Sequence, residues 1–317
     1  PIDQAGVDIL SQVAQVDQRP GLSPEELVSV IGDYDGLMIR SGTQVTAEVI
    51  AAASKLKIIG RAGVGVDNVD VPAATQRGVL VVNSPEGNTI AAAEHALAMM
   101  LSLSRHVPQA HAGMRAGKWD RKKYVGNELY KKTLGVVGLG KIGSHVARVA
   151  RAMGMEVIAY DPFIAADRAQ QMQVRLTELD ELFRTADYVT LHIPRTKDTE
   201  NLVNAELLRT MKPTARIVNC ARGGVVDEAA IAEAINNGVI AGAGLDVYAS
   251  EPLAEDSPLR AVERGLVLTP HLGASTEEAQ ENVAIDVAEQ IRDVLLGLPA
   301  RSAVNIPGLS AEIMERL

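Results

Sequence analysis

Three polar side chains in the second half of the chain each follow a short apolar run. They are Arg222, Glu251 and His271, and together they could oxidise an alcohol beside a carboxylate. An arginine can hold a carboxylate through two parallel hydrogen bonds and polarise the neighbouring carbonyl. A histidine can remove the hydroxyl proton near neutral pH, and an adjacent carboxylate raises its basicity and fixes its tautomer. We therefore predict that these residues form a hydride-transfer site for a small hydroxyacid.

A glycine-rich turn predicts a dinucleotide cofactor that could accept that hydride. The segment Gly138–Gly143 has the spacing Gly-x-Gly-x-x-Gly, directly follows the apolar run Thr133–Val137 and opens a helical pattern. In this context the glycines permit a tight turn, close approach to a pyrophosphate and close packing of helix on strand. Asp161 ends the next predicted strand, where a carboxylate binds the adenosine ribose and repels a 2′-phosphate. The turn and Asp161 therefore predict NAD rather than NADP.

Other histidines and the single cysteine are not expected to take part in the chemistry. His95, His106, His111 and His145 have no ligand spacing with cysteine or carboxylates, so we predict no metal site. Cys220 lies beside the predicted nicotinamide site, but no base motif accompanies it. We expect it to be a small packing residue rather than a nucleophile.

The composition restricts the possible classes of protein. The chain has 317 residues, enough for two domains, and its 47% hydrophobic and 22% charged residues are ordinary for a globular protein. A formal net charge of −9 argues against nucleic acid or an anionic membrane as partner. The single cysteine fits a reducing compartment, and no signal peptide or apolar run of about 20 residues is present. We expect a cytoplasmic protein.

From about residue 131, short β-branched runs alternate with helical segments, which is typical of a parallel sheet covered on both faces. Asn204 and Asp227 are predicted helix starts. Ser275 and Glu278 have the spacing of a capping box before a last helix, Thr276–Leu296. The predicted strands are Thr133–Val137, Glu156–Tyr160, Tyr188–Ile193, Ala215–Asn219, Ala243–Val247 and Leu266–Thr269.

The first 85 residues repeat this alternation on a smaller scale. The predicted strands are Gly36–Ile39, Leu56–Gly60 and Leu80–Val82. Residues 1–10 contain no strand pattern, although the architecture would have a strand there, so we expect the chain to begin just inside its domain.

These patterns predict an α/β fold with two doubly wound domains. Residues 86–271 are expected to form a Rossmann-type NAD-binding domain. Residues 1–85 and 272–317 are expected to form a smaller, discontinuous, flavodoxin-like substrate domain, because the last helix follows the final strand of the larger unit and is expected to cross back.

Three longer motifs resemble the signature segments of the D-isomer specific 2-hydroxyacid dehydrogenases. They are Arg61–Asp70 (RAGVGVDNVD), Asn219–Glu228 (NCARGGVVDE) and Thr269–Thr276 (TPHLGAST), and the resemblance covers nearly the whole chain.

The resemblance implies roles for individual residues. Arg222, Glu251 and His271 correspond to the catalytic residues of the family, and the loop that includes Val64 and Gly65 offers backbone amides to the substrate carboxylate. The implied NAD contacts are Gly138, Gly140, Lys141, Ile142, Gly143, Asp161, Ile193, Cys220, Arg222, Asp246, His271 and Gly273.

Within the family, the chain most resembles members that oxidise D-3-phosphoglycerate to 3-phosphohydroxypyruvate, the first step of the phosphorylated route to L-serine. Trp119–Lys123 adds to that resemblance. Arg40 and Arg61 are the candidate phosphate-binding residues, with Arg121 expected to reach across a dimer. The resemblance implies a homodimer, paired through the helix and arm at about residues 89–132.

Several alternatives remain open. A glyoxylate/hydroxypyruvate reductase or a D-lactate dehydrogenase would share the fold, but neither needs the phosphate-binding arginines. A formate dehydrogenase is disfavoured because its reaction needs no Glu–His pair. Co-repressors related to the family bind NAD(H), act mainly in protein interactions and keep similar arginine, glutamate and histidine residues, so Arg222, Glu251 and His271 alone do not exclude that class.

Overall fold

The computed structural model describes residues 1–306, and these form two compact units. Unit 1 comprises residues 1–89 and those from 274 onward, and unit 2 comprises residues 90–273. Residues 307–317, which the sequence analysis assigned to the substrate domain, lie outside the described residues. None of the helices in the described chain has the length and apolar character that crossing a membrane requires.

Unit 1 contains a parallel sheet of three strands in the order β1-β2-β3. The strands are β1 (Gly36–Ile39), β2 (Ile58–Arg61) and β3 (Leu80–Asn83). The helices are α1 (Gln4–Ser11), α2 (Pro24–Val30), α3 (Ala47–Ala52), α4 (Val71–Gln76) and α12 (Glu277–Leu295). The first ten residues thus contain no strand, as their pattern predicts, and α1 was not predicted.

Helices cover both faces of this small sheet. Successive residues of a strand point to opposite faces, so Ile58 and Ile59 belong to different cores. Ile58 packs with Leu10 of α1 and Val287 of α12. Ile59 packs on the other face with Ile50 of α3. The unit is therefore a three-layer α/β arrangement.

A short segment near the end of the described chain covers the outer edge of β3. Val304 donates its backbone N–H to the Val81 carbonyl oxygen at 2.7 Å, and Val82 forms an antiparallel bridge with Ala303. The Asn305 side-chain oxygen accepts the Val81 N–H at 2.9 Å. The edge strand is therefore hydrogen-bonded on both sides.

Helix α12 does not begin with the predicted capping box. Thr276 is the N-cap, with extended backbone, and its side chain accepts the Ala279 N–H at 3.1 Å. The assignment of Ser275 and Glu278 is wrong because the extended residue is one position later. The third residue after the true cap is an alanine, which has no side-chain acceptor for the returning bond.

Unit 2 contains a parallel sheet of seven strands in the order β10-β9-β8-β7-β4-β5-β6. The strands are β4 (Thr133–Val137), β5 (Glu156–Tyr160), β6 (Arg175–Leu176), β7 (Tyr188–Leu191), β8 (Arg216–Asn219), β9 (Gly242–Leu245) and β10 (Leu266–Leu268). The two-residue β6 was not predicted, because so short a strand has no recognisable periodicity. The direction of strand order reverses between β4 and β7, which is the ligand-binding crevice of doubly wound sheets.

Two helices of unit 2 begin where side-chain caps predict. Asp227 accepts the N–H groups of Ala229 and Ala230, and Asn204 accepts that of Leu207. The helices are α5 (Thr89–Arg105), α6 (Val107–Arg115), α7 (Lys141–Ala152), α8 (Ala166–Gln171), α9 (Leu179–Thr185), α10 (Ala205–Arg209) and α11 (Glu228–Asn236). The predicted α/β class with parallel sheets is confirmed.

Candidate active site

Glu251 and His271 form a hydrogen-bonded pair at the carboxyl edge of the large sheet. His271 Nδ1 lies 2.7 Å from Glu251 Oε2, and the side chains are 46% and 37% exposed, respectively. The other carboxylate oxygen of Glu251 accepts the Tyr248 backbone N–H at 3.0 Å. The carboxylate is thus oriented from one side and available to imidazole from the other, leaving Nε2 of His271 for a substrate.

Asp246 shapes the turn that carries His271. His271 has a left-handed backbone (φ 55°), which is costly for a non-glycine residue, and its N–H donates to the Asp246 carbonyl oxygen at 2.8 Å. The Asp246 carboxylate accepts the Thr269 hydroxyl at 2.6 Å and the N–H groups of Leu272 and Gly273 at 2.7 and 2.8 Å. These four bonds offset the strain and orient the histidine.

His95, on helix α5, completes this network. Its Nε2 lies 3.2 Å from both Asp246 Oδ1 and Thr269 Oγ1. Burial alone would raise the pKa of Asp246, but the hydrogen bonds from His95, Thr269 and Leu272 N–H together lower the pKa below its usual value. The buried Asp246 carboxylate is therefore ionised at neutral pH.

His95, Cys220 and Asp246 each place one ligand-type atom within 4.8 Å of the others. Hydrogen bonds already occupy both Asp246 oxygens, so we assign this cluster to positioning, and the absence of a metal stays a prediction. Burial, reinforced by the Asp246 carboxylate, raises the pKa of the Cys220 thiol well above its usual range. A protonated thiol disfavours a nucleophilic role.

Asn219, the last residue of β8, shapes the loop that carries Arg222. Its Nδ2 donates to the Arg222 carbonyl oxygen at 2.9 Å, and its Oδ1 accepts the Ala221 N–H at 3.0 Å. A Cβ atom added to Gly223 would lie 1.7 Å from the Tyr248 carbonyl oxygen. The missing side chain thus brings the loop of Arg222 against the loop that precedes Glu251.

The turn Gly138–Gly143 has the features of a dinucleotide cradle. Gly138 has φ 92°, and a Cβ there would lie 2.6 Å from the His192 carbonyl oxygen, so the loops after β4 and β7 meet at the switch point. Gly140 is the N-cap of α7 and makes no side-chain cap, and the space beside it is open. Helix amides and open space suit a pyrophosphate. The residues present therefore fit the predicted cofactor.

Asp161 also holds the glycine turn in place. Its carboxylate oxygens accept the N–H groups of Leu139 and Phe163 at 2.7 and 2.9 Å. These bonds fix the carboxylate where the predicted ribose contact would be made. Lys141 and Ile142 are the first residues of α7, and Ile193 follows β7 beside Gly138.

His192, at the same switch point, was not singled out by the sequence analysis. Its Nε2 lies 3.0 Å from Thr190 Oγ1, and burial lowers the pKa of His192 to about 4. The imidazole is therefore neutral at physiological pH.

Unit 1 contains the predicted anion-binding residues Arg40 and Arg61. Arg40 follows β1, and its Nη1 donates to Gln280 Oε1 at 2.9 Å. Arg61 ends β2, and a Cβ added to Gly63 (φ 141°) would lie 1.7 Å from Arg61 Nη1. The glycine therefore lets the guanidinium lie over its own loop, which continues to Gly65.

Two buried or partly buried asparagines hold these loops. Asn68 Nδ2 donates to the carbonyl oxygens of Arg40 and Thr43 at 2.9 and 2.6 Å. Asn83 Nδ2 donates to the Val64 carbonyl oxygen at 2.5 Å. The loops after β1 and β2 are thus fixed by amide donors.

The structure brings some predicted residues together and leaves others apart. Glu251 and His271 are in contact, and Arg222 lies on an adjoining loop. Arg121 lies in an exposed 3-10 turn, Arg121–Tyr124. His95 was predicted to take no part in the chemistry. Its partner Thr269 is 174 residues away, so no local signal could have revealed the contact.

Comparison with known proteins places the chain in a family. Residues 97–273 match the family model "D-isomer specific 2-hydroxyacid dehydrogenase, NAD binding domain". A curated relative from Synechocystis, named D-3-phosphoglycerate dehydrogenase, is 65% identical over 100% of this chain. The chain spans only 57% of that relative and 60% of a relative with the same name from Archaeoglobus fulgidus, which is 49% identical over 99% of this chain.

Solved structures agree with this assignment. A glyoxylate reductase from Paecilomyes thermophila has a TM-score of 0.87 and 30% identity, with coverage of 96% of this chain and 95% of that one. A D-lactate dehydrogenase from Aquifex aeolicus, complexed with NAD and lactic acid, has a TM-score of 0.82 and 27% identity, with 95% coverage of each chain. The chain therefore belongs to the D-isomer specific 2-hydroxyacid dehydrogenase family and contains its NAD-binding domain.

Proposed function

We propose that the chain catalyses the NAD⁺-dependent oxidation of D-3-phosphoglycerate at C2 to 3-phosphohydroxypyruvate. The observation that carries the proposal is the pair of His271 Nδ1 and Glu251 Oε2, 2.7 Å apart, at the sheet edge that also holds the dinucleotide turn. The names of the curated relatives support the substrate. The reaction would open the phosphorylated route to L-serine, in the cytoplasm.

The chemistry divides among three residues. Bound NAD⁺ supplies the hydride acceptor. Arg222 holds the substrate carboxylate and C2 oxygen through its fixed fork of N–H donors. His271 takes the hydroxyl proton at Nε2 while the C2–H bond breaks and its electron pair leaves as hydride. Glu251 stabilises the resulting imidazolium, and the exposed ring releases the proton to solvent.

Cofactor recognition is assigned to residues at the carboxyl ends of the strands. Gly138 and Gly140 offer the cradle for the pyrophosphate, and Asp161 offers acceptors to the ribose hydroxyls. A carboxylate at Asp161 also disfavours a 2′-phosphate, which supports NAD over NADP. Cys220, Asp246 and the remaining contacts implied by the family resemblance are part of the same proposal.

Substrate recognition in unit 1 is assigned to cations and backbone amides. Arg40 and Arg61 are proposed to bind the phosphate, and the amides of Val64 and Gly65 the carboxylate. The same catalytic pair could serve an unphosphorylated hydroxyacid. The two arginines favour the phosphorylated one, because a guanidinium offers a fork of N–H donors that matches the oxygens of a phosphate.

Absorbance at 340 nm tests the proposal. At alkaline pH, where the equilibrium assists oxidation, the protein should reduce NAD⁺ with D-3-phosphoglycerate far more efficiently than with D-lactate or D-glycerate. His271→Ala should lower kcat by about 10²–10⁴-fold, because a general base is lost. Glu251→Gln should also lower kcat, and Glu263→Gln, which makes the same change at another exposed glutamate, is its matched control.

Two results would overturn the proposal. Reduction of glyoxylate or hydroxypyruvate that exceeds that of 3-phosphohydroxypyruvate would assign a different substrate. NAD binding without turnover of any hydroxyacid would favour the interaction class, in which the cofactor is a ligand rather than a reactant.

We also propose a homodimer formed through residues 89–132. This stretch exposes an unusual number of large apolar side chains: Ile90, Leu101, Val107, Met114, Trp119, Val125 and Tyr130. Trp119 is 74% and Val125 is 76% exposed, and apolar surface of this kind marks interfaces. Light scattering should report a dimer, and Trp119→Glu with Val125→Glu should produce a monomer. An unchanged mass would refute this interface.

A further inference from the structure

We propose that Gln280 is a positioning residue that presents Arg40 to the substrate phosphate without neutralising its charge. The pair would thereby set the preference for phosphorylated over unphosphorylated hydroxyacids. This inference rests on the proposed function, because it takes Arg40 as a phosphate ligand.

The geometry joins two elements of unit 1. Arg40 follows β1, and Gln280 lies in the first turn of α12. The bond from Arg40 Nη1 to Gln280 Oε1 is 2.9 Å long and partly buried. The Arg40 carbonyl oxygen is separately fixed by Asn68. Both the backbone and the guanidinium of this residue are therefore held by uncharged groups.

The chemistry of the partner matters more than the bond itself. An amide oxygen accepts one N–H of the guanidinium and carries no net charge. A carboxylate at the same place would form a charge-assisted pair and would compete with a phosphate for the same cation. The glutamine thus orients the arginine and leaves its positive charge for a ligand.

Two other arginines in the described residues have a carboxylate as partner instead. Arg175 pairs with Glu181 at 2.8 Å and Arg301 with Glu289 at 2.8 Å. Those pairs are local surface ion pairs. At Arg40 the acceptor is an amide, so this partner leaves the positive charge of the guanidinium uncompensated.

Two substitutions of Gln280 distinguish the effect of an added negative charge from the effect of a lost hydrogen bond. Gln280→Glu keeps the shape and the acceptor but adds a negative charge. It should raise KM for D-3-phosphoglycerate by about tenfold or more, with kcat and the KM for D-glycerate changed less than about twofold. Gln280→Met removes the hydrogen bond without adding charge and should raise KM by only about two- to threefold. A merely structural role would not produce this split.

An exposed arginine–glutamine pair provides the control. Arg151 Nη2 donates to Gln173 Oε1 at 2.5 Å in unit 2, so Gln173→Glu makes the same chemical change away from the proposed site. It should leave KM for both substrates unchanged. Thermal unfolding of all three variants should match the parent within a few degrees.

Calorimetric measurement of substrate binding distinguishes failure of this inference from failure of the proposed function. Gln280→Glu should weaken D-3-phosphoglycerate binding by the same factor as its effect on KM. Equal effects of Gln280→Glu and Gln280→Met, or no effect of either, would overturn the inference, as would a parent protein that does not bind D-3-phosphoglycerate. A parent that binds D-3-phosphoglycerate but does not oxidise it would overturn the proposed function alone.

Discussion

The turn of His271 in unit 2 and the loop of Arg40 in unit 1 are held by opposite kinds of side chain. In unit 2, the turn of His271 is held by the Asp246 carboxylate, which accepts a hydroxyl and two backbone N–H groups. In unit 1, the loop of Arg40 is held by the Asn68 amide, which donates to two backbone carbonyl oxygens.

The difference follows from which backbone groups each turn leaves unpaired. A turn with converging N–H groups needs an acceptor, and an ionised carboxylate is the strongest available. A turn with converging carbonyl oxygens needs donors, which a carboxylate lacks and a carboxamide has. The amide also adds no negative charge to the unit that we propose binds an anionic substrate. Replacing the carboxylate by an amide in unit 2, and the amide by a carboxylate in unit 1, is therefore the most direct test of this difference.

The largest effect is expected for Asp246→Asn. Its amide N–H groups would face N–H and hydroxyl donors, so the free energy of unfolding should fall by about 3 kcal/mol. The His271 turn would lose its orientation, and kcat should fall by about 10²-fold. Urea unfolding and steady-state kinetics measure the two effects. Asp227→Asn is the control, because asparagine is an equally good N-cap, and it should stay within about 0.5 kcal/mol of the parent.

Asn68→Asp should have the next largest effect. The change removes both N–H donors and places a charge at a position that is only 8% exposed, so the free energy of unfolding should fall by about 2 kcal/mol. KM for D-3-phosphoglycerate should rise more than kcat falls, because Arg40 is displaced while His271 is not. Asn204→Asp is the matched control, because it makes the same change at the N-cap of α10, where aspartate is equally suitable. A larger loss in kcat than in KM would contradict the division between the units.

The pH dependence of stability should have opposite signs at the two positions. The pKa of Asp246 is lowered in the folded protein, so its contribution is present above the unfolded pKa of roughly 3.9 and is lost as pH falls through the folded value. In Asn68→Asp, the buried carboxylate without donors should have a raised pKa, so this variant should regain stability relative to the parent as pH falls. Urea unfolding between pH 3 and 7 would show whether the two trends diverge.

A smaller effect on the pH dependence of stability is expected at His192, whose side chain is neither a carboxylate nor an amide. Because burial lowers the pKa of His192 from 6.5 to about 4, the unfolded chain binds a proton in this range and the folded chain does not. Stability should therefore decrease as pH falls from about 6.5 to about 4. His192→Gln should reduce that slope, and an unchanged slope would contradict the assignment of a neutral ring in the folded protein.

Much of the fold could be predicted because its signals are local. β-branched runs, helix caps at Asn204 and Asp227 and the glycine spacing at Gly138–Gly143 each depend on neighbouring residues. The capping box at Ser275 was misplaced because two adjacent hydroxyl residues offer equivalent caps, and the backbone conformation decides between them.

The candidate site was predictable only in part. Residue type and position after a strand indicated Glu251 and His271. The positioning role of Asp246, His95 and Thr269 was not predicted, because these residues meet through tertiary contacts. The bond between Arg40 and Gln280 spans 240 positions in the chain, and neither residue has a local pattern that marks the other.

The segment that pairs with β3 has a consequence for assembly. An uncovered edge strand presents unpaired N–H and carbonyl groups on which a second molecule can add its own strand. Val304 and Asn305 satisfy those groups at Val81 within the same chain. Disrupting the segment should therefore cause self-association through β3 at high protein concentration, while the chemistry at His271 is left intact.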